Sequence, residues 1–374
     1  MLKIAIFQLD NFKLSPFSRN LFNLAPELQK RGCDITLLTT SQQGMDTLPP
    51  GVCGRMLGQW VPHWLKLPRH YFAIPQLVIY IWRNRPDAII ARGVSFAIPT
   101  LLARMLSGCQ PQIITTLHSF ISGDISAHVY RSWPVFKFLA RFAIQRSDHT
   151  VAVSSGVATD YVNLTRVRQE QIQVIYNPVV APNIQDQALE QLDEPWLKLG
   201  RAHTTLLHVG RFAPEKDHET LLKALAEVRR HRDVRLLLLG DGPLRTQIKH
   251  LISDLRLEDA VKMLGRQDNP FAYMERADAL VLTSLFEGLP GVLIQAMAVG
   301  CPVASTDISG ANEILEGGLW GPLTPVGDAC QFANSIRTLL EHPLAKNMLM
   351  KRASCFTAAE SASKLFSLIQ KSSI

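Results

Sequence analysis

TTLLHVGRFAPEKDHETLLKAL, residues 204–225, decides the fold. An apolar run rich in β-formers stops at Gly210. A turn with Pro214 follows, and Asp217 stands as N-cap before a segment with helical apolar spacing. Strand, turn and helix in that order open a βαβ unit. The same rhythm continues through RLLLLGDG (235–242), VKMLG (261–265), ALVLTS (279–284), PVAST (302–306) and a short strand near 320–324. It also runs through the first half, as KIAIFQL (3–9), DITLLTT (34–40), DAIIARG (87–93), QIITTLH (112–118), TVAVSS (150–155) and QVIYNPV (173–179). Helix-period segments such as RNLFNLAPELQKRG (19–32) lie between. Continuous apolar strands alternating with helices predict parallel sheets covered on both faces.

A chain of 374 residues is long for one core. The rhythm pauses over polar, Pro-containing residues 181–203. The sequence thus predicts an α/β chain of two Rossmann-like domains, 1–180 and 204–342, joined by a linker at 181–203. A helical segment, 343–374, runs back across the linker. Ligands of open parallel sheets sit beyond the carboxyl ends of the strands, so two facing sheets predict a cleft between the domains.

Nearly half of the residues are apolar and 19% are charged, which excludes a disordered chain. The start, MLKIAIF, lacks the basic and small-residue features of a signal peptide, and no apolar run reaches about 20 residues. The six cysteines form no C-x-x-C pair, which suits reduced thiols and a cytoplasmic protein. The net charge of +7 is uneven: residues 1–180 carry 18 Lys and Arg against 9 Asp and Glu. An anionic membrane surface or a phosphorylated acceptor is a candidate partner of that half; a merely basic surface is the plain alternative.

Two loops carry candidate chemistry. Arg211 and Lys216 leave the strand that ends at Gly210; a guanidinium fork and an ammonium suit a diphosphate, and two solvated loop cations are the alternative. In SLFEGLPGVLIQAMAVG (284–300), Glu287 precedes a bare turn and a helix. Pro290 fits the first helical turn, and Gly288 and Gly291 keep side chains away from backbone N–H groups that form an anion site. Glu287 stands too near that site to bind phosphate and suits sugar hydroxyls; a helix-end charge worth under ~1 kcal/mol is the alternative.

These stretches, with LLGDGPLR (238–245) and CPVASTDISGANEIL (301–315), resemble retaining GT-B glycosyltransferases of family 4. The resemblance is strong over 204–315. RG (31–32), TTLHSF (115–120), VSSGV (153–157) and YNPV (176–179) extend it over most of the chain. It implies a GT-B fold and transfer of a hexosyl or N-acetylhexosaminyl group from a nucleotide-diphosphate donor, a UDP-sugar being expected. The acceptor it implies is a glycan or lipid-linked saccharide in bacterial-type surface polysaccharide or lipopolysaccharide synthesis. It further implies that Gly210, Arg211 and Lys216 hold the diphosphate and that Glu287 bonds the donor sugar. Backbone at Gly288, Leu289, Pro290, Gly291 and Val292 approaches sugar and phosphate, Gly265 and Arg266 flank the base, and Gln295 faces the ribose. His118 faces the donor sugar from the first domain; a satisfied imidazole at a strand end is the reading without the resemblance. Arg211, Lys216 and a helix N-terminus can neutralise the leaving diphosphate, so neither metal nor cofactor is expected, and no D-x-D occurs.

Two departures stand out. Many members have glutamate where this chain has Gln295, and Gly-Gly where it has Ser15-Pro16. Glutamine keeps an acceptor oxygen without charge-assisted strength, and Pro16 offers no N–H. Ser15, Ser18 or Arg19 are candidate replacements. A catalytically weakened GT-B subunit that binds nucleotide or a partner is therefore the second hypothesis. An NAD-dependent dehydrogenase fits poorly, since no G-x-G-x-x-G follows the first strand. Finally, residues 60–86 and 131–146 interleave aromatic with basic residues. This suits either helices packed in the first domain or a peripheral protein on the inner face of the cell membrane. No nucleic-acid motif occurs.

Overall fold

A computed structural model of the chain describes residues 1–8, 16–41, 48–58, 69–126 and 133–371. Two compact units emerge: Met1–Val179 with Ala358–Ile374, and Val180–Thr357.

The first unit holds a seven-stranded parallel sheet in the order β3-β2-β1-β4-β5-β6-β7. Its strands are β1 Leu2–Gln8, β2 Cys33–Thr39, β3 Val52–Met56, β4 Ala88–Arg92, β5 Gln112–Leu117, β6 His149–Ala152 and β7 Gln173–Val174. Its helices are α1 Pro16–Gln29, α2 Arg69–Phe72, α3 Ile74–Asn84, α4 Val94–Ser107, α5 Ile121–Ser126, α6 Trp133–Arg146 and α7 Ser155–Thr165. Alternate residues of each strand serve opposite faces. Ile4, Ile6, Ile90 and Ile114 form one core with Leu21, Ala25 and Leu28 of α1. Phe7 faces the other side and meets Phe96 of α4 edge-on, with ring centroids 4.9 Å apart. The edge strand β3 was not foreseen: VCGRM is short, largely exposed and lacks an apolar run.

The second unit repeats the plan with six parallel strands in the order β10-β9-β8-β11-β12-β13. These are β8 Thr204–Val209, β9 Val234–Leu239, β10 Val261–Gly265, β11 Ala279–Leu282, β12 Val303–Thr306 and β13 Leu323–Thr324. The helices are α8 Ile184–Ala188, α9 His218–Arg229, α10 Arg245–Asp254, α11 Phe271–Arg276, α12 Gly291–Ala298, α13 Ser309–Leu315, α14 Ala329–Glu341 and α15 Lys346–Ala353. Leu206, Leu236, Leu238 and Val281 pack on Leu221, Leu222 and Leu225 of α9 and on Phe332 and Ile336 of α14. The last helix, α16 Ala358–Lys371, returns to the first unit. There Ala362, Leu365 and Ile369 join the core beneath α1.

Two boundaries differ from the expectation. Residues 181–203 are a folded part of the second unit rather than a linker. Ile184, Ala188 and Leu197 are buried. Gln185 Nε2 donates to Ala298 O at 2.6 Å, and Arg276 Nη1 donates to Ala188 O at 2.9 Å. Glu194 pairs with Lys262 at 2.8 Å, and that ammonium lies 4.2 Å from the Trp196 ring centroid. The strap reads as polar because its few apolar anchors are widely spaced and its other contacts are hydrogen bonds and an ion pair. The segment 343–374 is also divided: residues 343–357 stay with the second unit and only α16 joins the first.

Candidate active site at the ends of β8 and β11

In the second sheet the strand order reverses between β8 and β11. Chain leaving β8 turns to one side and chain leaving β11 to the other, which opens a crevice at their carboxyl ends. Arg211 and Lys216 follow β8, and Glu287 follows β11.

The loop after β8 is pinned from below. Phe212 and Ala213 are both buried, which anchors the loop between exposed Arg211 and half-buried Lys216. Pro214–Lys216 form a 3-10 turn, and Asp217 takes the left-handed conformation at φ 44. Asp217 then caps α9, accepting from Thr220 N at 3.2 Å and from Thr220 Oγ1 at 2.6 Å. The end of β11 is sewn to this loop. Thr283 Oγ1 lies 3.0 Å from both Lys216 O and Asp217 O, and Leu285 N donates to Glu215 O at 2.8 Å. Thr306 Oγ1 of β12 donates to Ser284 O at 2.6 Å.

These bonds bring Lys216 and Glu287 together. Nζ stands 2.7 Å from Oε1, with the side chains 14% and 18% exposed. Ser284 Oγ donates to the same carboxylate oxygen at 2.7 Å. Glu287 thus has a fixed rotamer, and its second oxygen, Oε2, has no partner among the described residues. Arg211 is exposed, and its guanidinium has no partner among the described residues.

Past Glu287, the bare turn Gly288–Pro290 enters α12 with Pro290 at the N-cap position. No side chain caps the helix; Leu293 N donates to Pro290 O at 3.1 Å, and the N–H groups of Gly291 and Val292 stand before it at the positive end of the helix. Gly291 and Val292 open the helix, and half-buried Gln295 lies one turn beyond Gly291 on the same face. Two glycines permit the crevice. A Cβ on Gly310 of α13 would stand 2.8 Å from Gly288 O and 2.8 Å from Pro290 Cδ. A Cβ on Gly240 would stand 1.8 Å from Gly210 O. Gly240 N in turn donates to Gly265 O at 2.8 Å. Gly265 and Arg266 therefore lie across β9 from Gly210, at the rim, apart from the Lys216–Glu287 pair.

His118 belongs to the first unit. It follows β5, half-buried, with Nε2 2.8 Å from Thr116 Oγ1. It lines a cavity of about 70 Å³ with Arg92, Thr116, Tyr176 and Asn177. Burial, reinforced by the Arg92 charge, holds its pKa well below the usual imidazole range. The ring is therefore neutral at pH 7, a hydrogen-bonding group rather than a charge. Ser15 and the side chains of Pro16, Ser18 and Arg19 lie outside the described residues, as do residues 60–68 and 131–132.

Sequence reasoning missed the groups that support the pair: Ser284, Thr283, Thr306 and two buried histidines. His208 of β8 is fully buried and its Nδ1 lies 3.0 Å from Val281 O, which ties β8 to β11. His218 at the start of α9 packs edge-on against it at 4.9 Å. Burial lowers their pKa values to about 4 and about 3. The only signal in the sequence was a cluster of small hydroxyl residues at strand ends.

Two parallel sheets covered by helices, with paired charges and an uncapped helix start at the switch point of the second, have the architecture of the GT-B class. Residues 18–181 match the family described as Glycosyltransferase Family 4, and residues 203–342 match Glycosyl transferases group 1. The chain belongs to glycosyltransferase family 4 and is a glycosyltransferase of the GT-B fold. It is 32% identical to N-acetyl-alpha-D-glucosaminyl L-malate synthase of Bacillus anthracis over 68% of this chain and 66% of that protein. It is 29% identical to an N-acetylgalactosaminyltransferase of Campylobacter jejuni, over 74% of this chain and 72% of that protein. The latter's name gives N-acetylgalactosamine-N,N'-diacetylbacillosaminyl-diphospho-undecaprenol as what it acts on. The fold matches that of HepE from Anabaena, crystallised with UDP, at a TM-score of 0.77 over the full length of both chains and 21% identity.

Proposed function

We propose that the protein transfers a hexosyl or N-acetylhexosaminyl group from a UDP-sugar to a glycan or lipid-linked acceptor. The pathway we assign is synthesis of a bacterial-type surface polysaccharide or lipopolysaccharide. The observation that carries this reading is the Lys216–Glu287 pair at the switch point, beside the uncapped start of α12. Lys216 has three N–H donors, so it can keep Glu287 and still reach a phosphate oxygen. Arg211 and the first N–H groups of α12 complete a cationic surround for the leaving diphosphate, which supplies the electrostatic stabilisation the reaction needs without a metal. Glu287 accepts hydrogen bonds from donor-sugar hydroxyls, Gln295 from the ribose, and Gly265 with Arg266 flanks the base. His118, neutral at pH 7, can give or take a hydrogen bond with a sugar hydroxyl. Transfer proceeds with retention: the leaving phosphate takes the acceptor's proton on the same face, and no side-chain nucleophile is required. The uridine base is supported by the UDP held in the HepE structure, and a lipid-linked acceptor by the diphospho-undecaprenol in the Campylobacter relative's name.

Purified protein is expected to shift its melting temperature with UDP before other nucleoside diphosphates, and to hydrolyse one UDP-sugar slowly without acceptor. A folded protein that turns over no UDP-, GDP- or ADP-sugar would overturn the reading. The weakened subunit that Gln295 suggests would then take its place.

A further inference from the structure

The first unit carries a surface that nucleotide-sugar chemistry does not use. Helix α4 packs onto β4 and β5 and against both α3 and α6, so the three helices share one side of the sheet. The outer helices of a water-soluble α/β domain normally turn polar residues outward. These three do not.

On α4 the outward positions are Leu102, Met105 and Leu106, spaced i, i+3, i+4, with the last two 71% and 70% exposed. On α3 they are Ile79 and Trp82, while Leu77, Tyr80 and Ile81 face inward. On α6 they are Val135 and Phe138, the phenyl ring 67% exposed. The aromatic–basic stretches thus divide: part of each helix is buried as any packed helix would be, and the outward remainder mixes large apolar side chains with cations. A contiguous apolar patch of this kind marks an interaction site.

Charge identifies the occupant. None of the three helices contains an Asp or Glu. Arg83, Arg85, Lys137 and Arg141 are exposed among the apolar side chains and form no ion pair among the described residues. The carboxylates that follow α3 and α6 in sequence are engaged: Asp87 accepts from Lys3 N at 2.7 Å, and Asp148 pairs with Arg104 at 2.5 Å. A protein partner would ordinarily meet mixed charges. Exposed apolar side chains interspersed with cations, on helices that carry no acid, match the acyl boundary and headgroups of an anionic bilayer. No described helix is long and apolar enough to cross a membrane, so the contact lies on the surface.

We propose that the α3–α4–α6 face docks on an anionic lipid surface, seating Trp82, Met105, Leu106 and Phe138 at the headgroup boundary. This rests on the lipid-linked acceptor proposed above, which a docked enzyme would meet in the plane of the membrane.

The test is co-sedimentation of the full chain with vesicles of phosphatidylglycerol and phosphatidylethanolamine, compared with phosphatidylcholine alone. Binding is expected to the anionic vesicles only, and to weaken as salt shortens the screening length. Met105→Ser with Phe138→Ser, and separately Lys137→Glu with Arg141→Glu, should each lower the partition coefficient about tenfold. Melting temperature and acceptor-free UDP-sugar hydrolysis should stay unchanged, since these positions are exposed and far in sequence from the donor loops. No binding by a hydrolytically active protein would overturn the docking face and leave the glycosyltransfer reading standing. Undiminished binding by both variant pairs would overturn it as well. So would a dimer, seen by analytical ultracentrifugation, that Phe138→Ser dissolves, since the face would then join two copies.

Discussion

Glu287 shows how much one residue depends on its neighbours. Lys216 and Ser284 both bond the same oxygen, Oε1. Glu287→Ala removes the ligand group and leaves a largely buried ammonium unpaired, a change of a few kcal/mol in the local balance. Transfer should fall by 10³-fold or more, roughly the loss of a transition-state interaction worth about 4 kcal/mol, with the circular dichroism spectrum unchanged. Near-normal turnover would remove Glu287 from the donor site. Gln295→Glu tests the ribose contact in the opposite direction: a charge-assisted hydrogen bond should tighten UDP binding several-fold by calorimetry. The buried histidines give a pH prediction. His208 and His218 have folded pKa values near 4 and 3 against about 6.5 in an unfolded chain. Between those limits the unfolded chain binds more protons than the folded one, so stability rises with pH. It should fall by up to about 1.4 kcal/mol per pH unit per histidine as the solution is acidified from pH 7 toward 4. His218→Leu removes two buried ring nitrogens without partners and one of the two titrating groups. It should gain about 1 kcal/mol at pH 7 and halve this pair's share of the acid slope, measured by urea unfolding across pH. An unaltered slope would show that His218 already protonates in the folded state.

At the scale of elements, the crevice depends on loops that touch through backbone. Gly310 on α13 lets the helix approach the Gly288–Pro290 turn that opens α12. Gly310→Val places side-chain atoms where Gly288 O and Pro290 Cδ already stand, so the turn must move. The expected result is a loss of UDP affinity of tenfold or more and a destabilisation of about 1–3 kcal/mol. Unchanged affinity would show that the turn takes no part in donor binding. The sequence revealed this turn and its helix, because Gly, Pro and apolar spacing report local conformation. It did not reveal that α13 abuts them. It also missed β3, whose five residues carry no periodic signal, and the strap at 181–203, whose anchors Ile184, Ala188 and Leu197 are too few to make a pattern.

The whole molecule consists of two units, the first built from discontinuous chain and the second from one continuous stretch. Ile369 of α16 is completely buried in the first unit, 194 residues past Ile175, which follows β7 in the same core. Ile369→Ala should cost the first unit about 2–5 kcal/mol. The prediction is a calorimetric trace in which one transition moves down and the transition that UDP raises stays in place. A single transition lowered as one would show that the units unfold together.

The sequence by itself determined every strand but β3, the helices between them and the loops that follow β8 and β11, since alternation, helical spacing and turn residues are properties of contiguous chain. The fold class followed, as did the candidate residues Arg211, Lys216 and Glu287. Tertiary structure alone decided three things. It set Lys216 against Glu287, 71 positions away, because strand order is fixed by which sheet edges pair. It placed α16 in the first unit, because Leu365 and Ile369 fill a face that α1 leaves open. It left Met105, Leu106 and Phe138 in solvent, because an apolar helix is buried only as far as its neighbours reach, and periodicity cannot say where they stop.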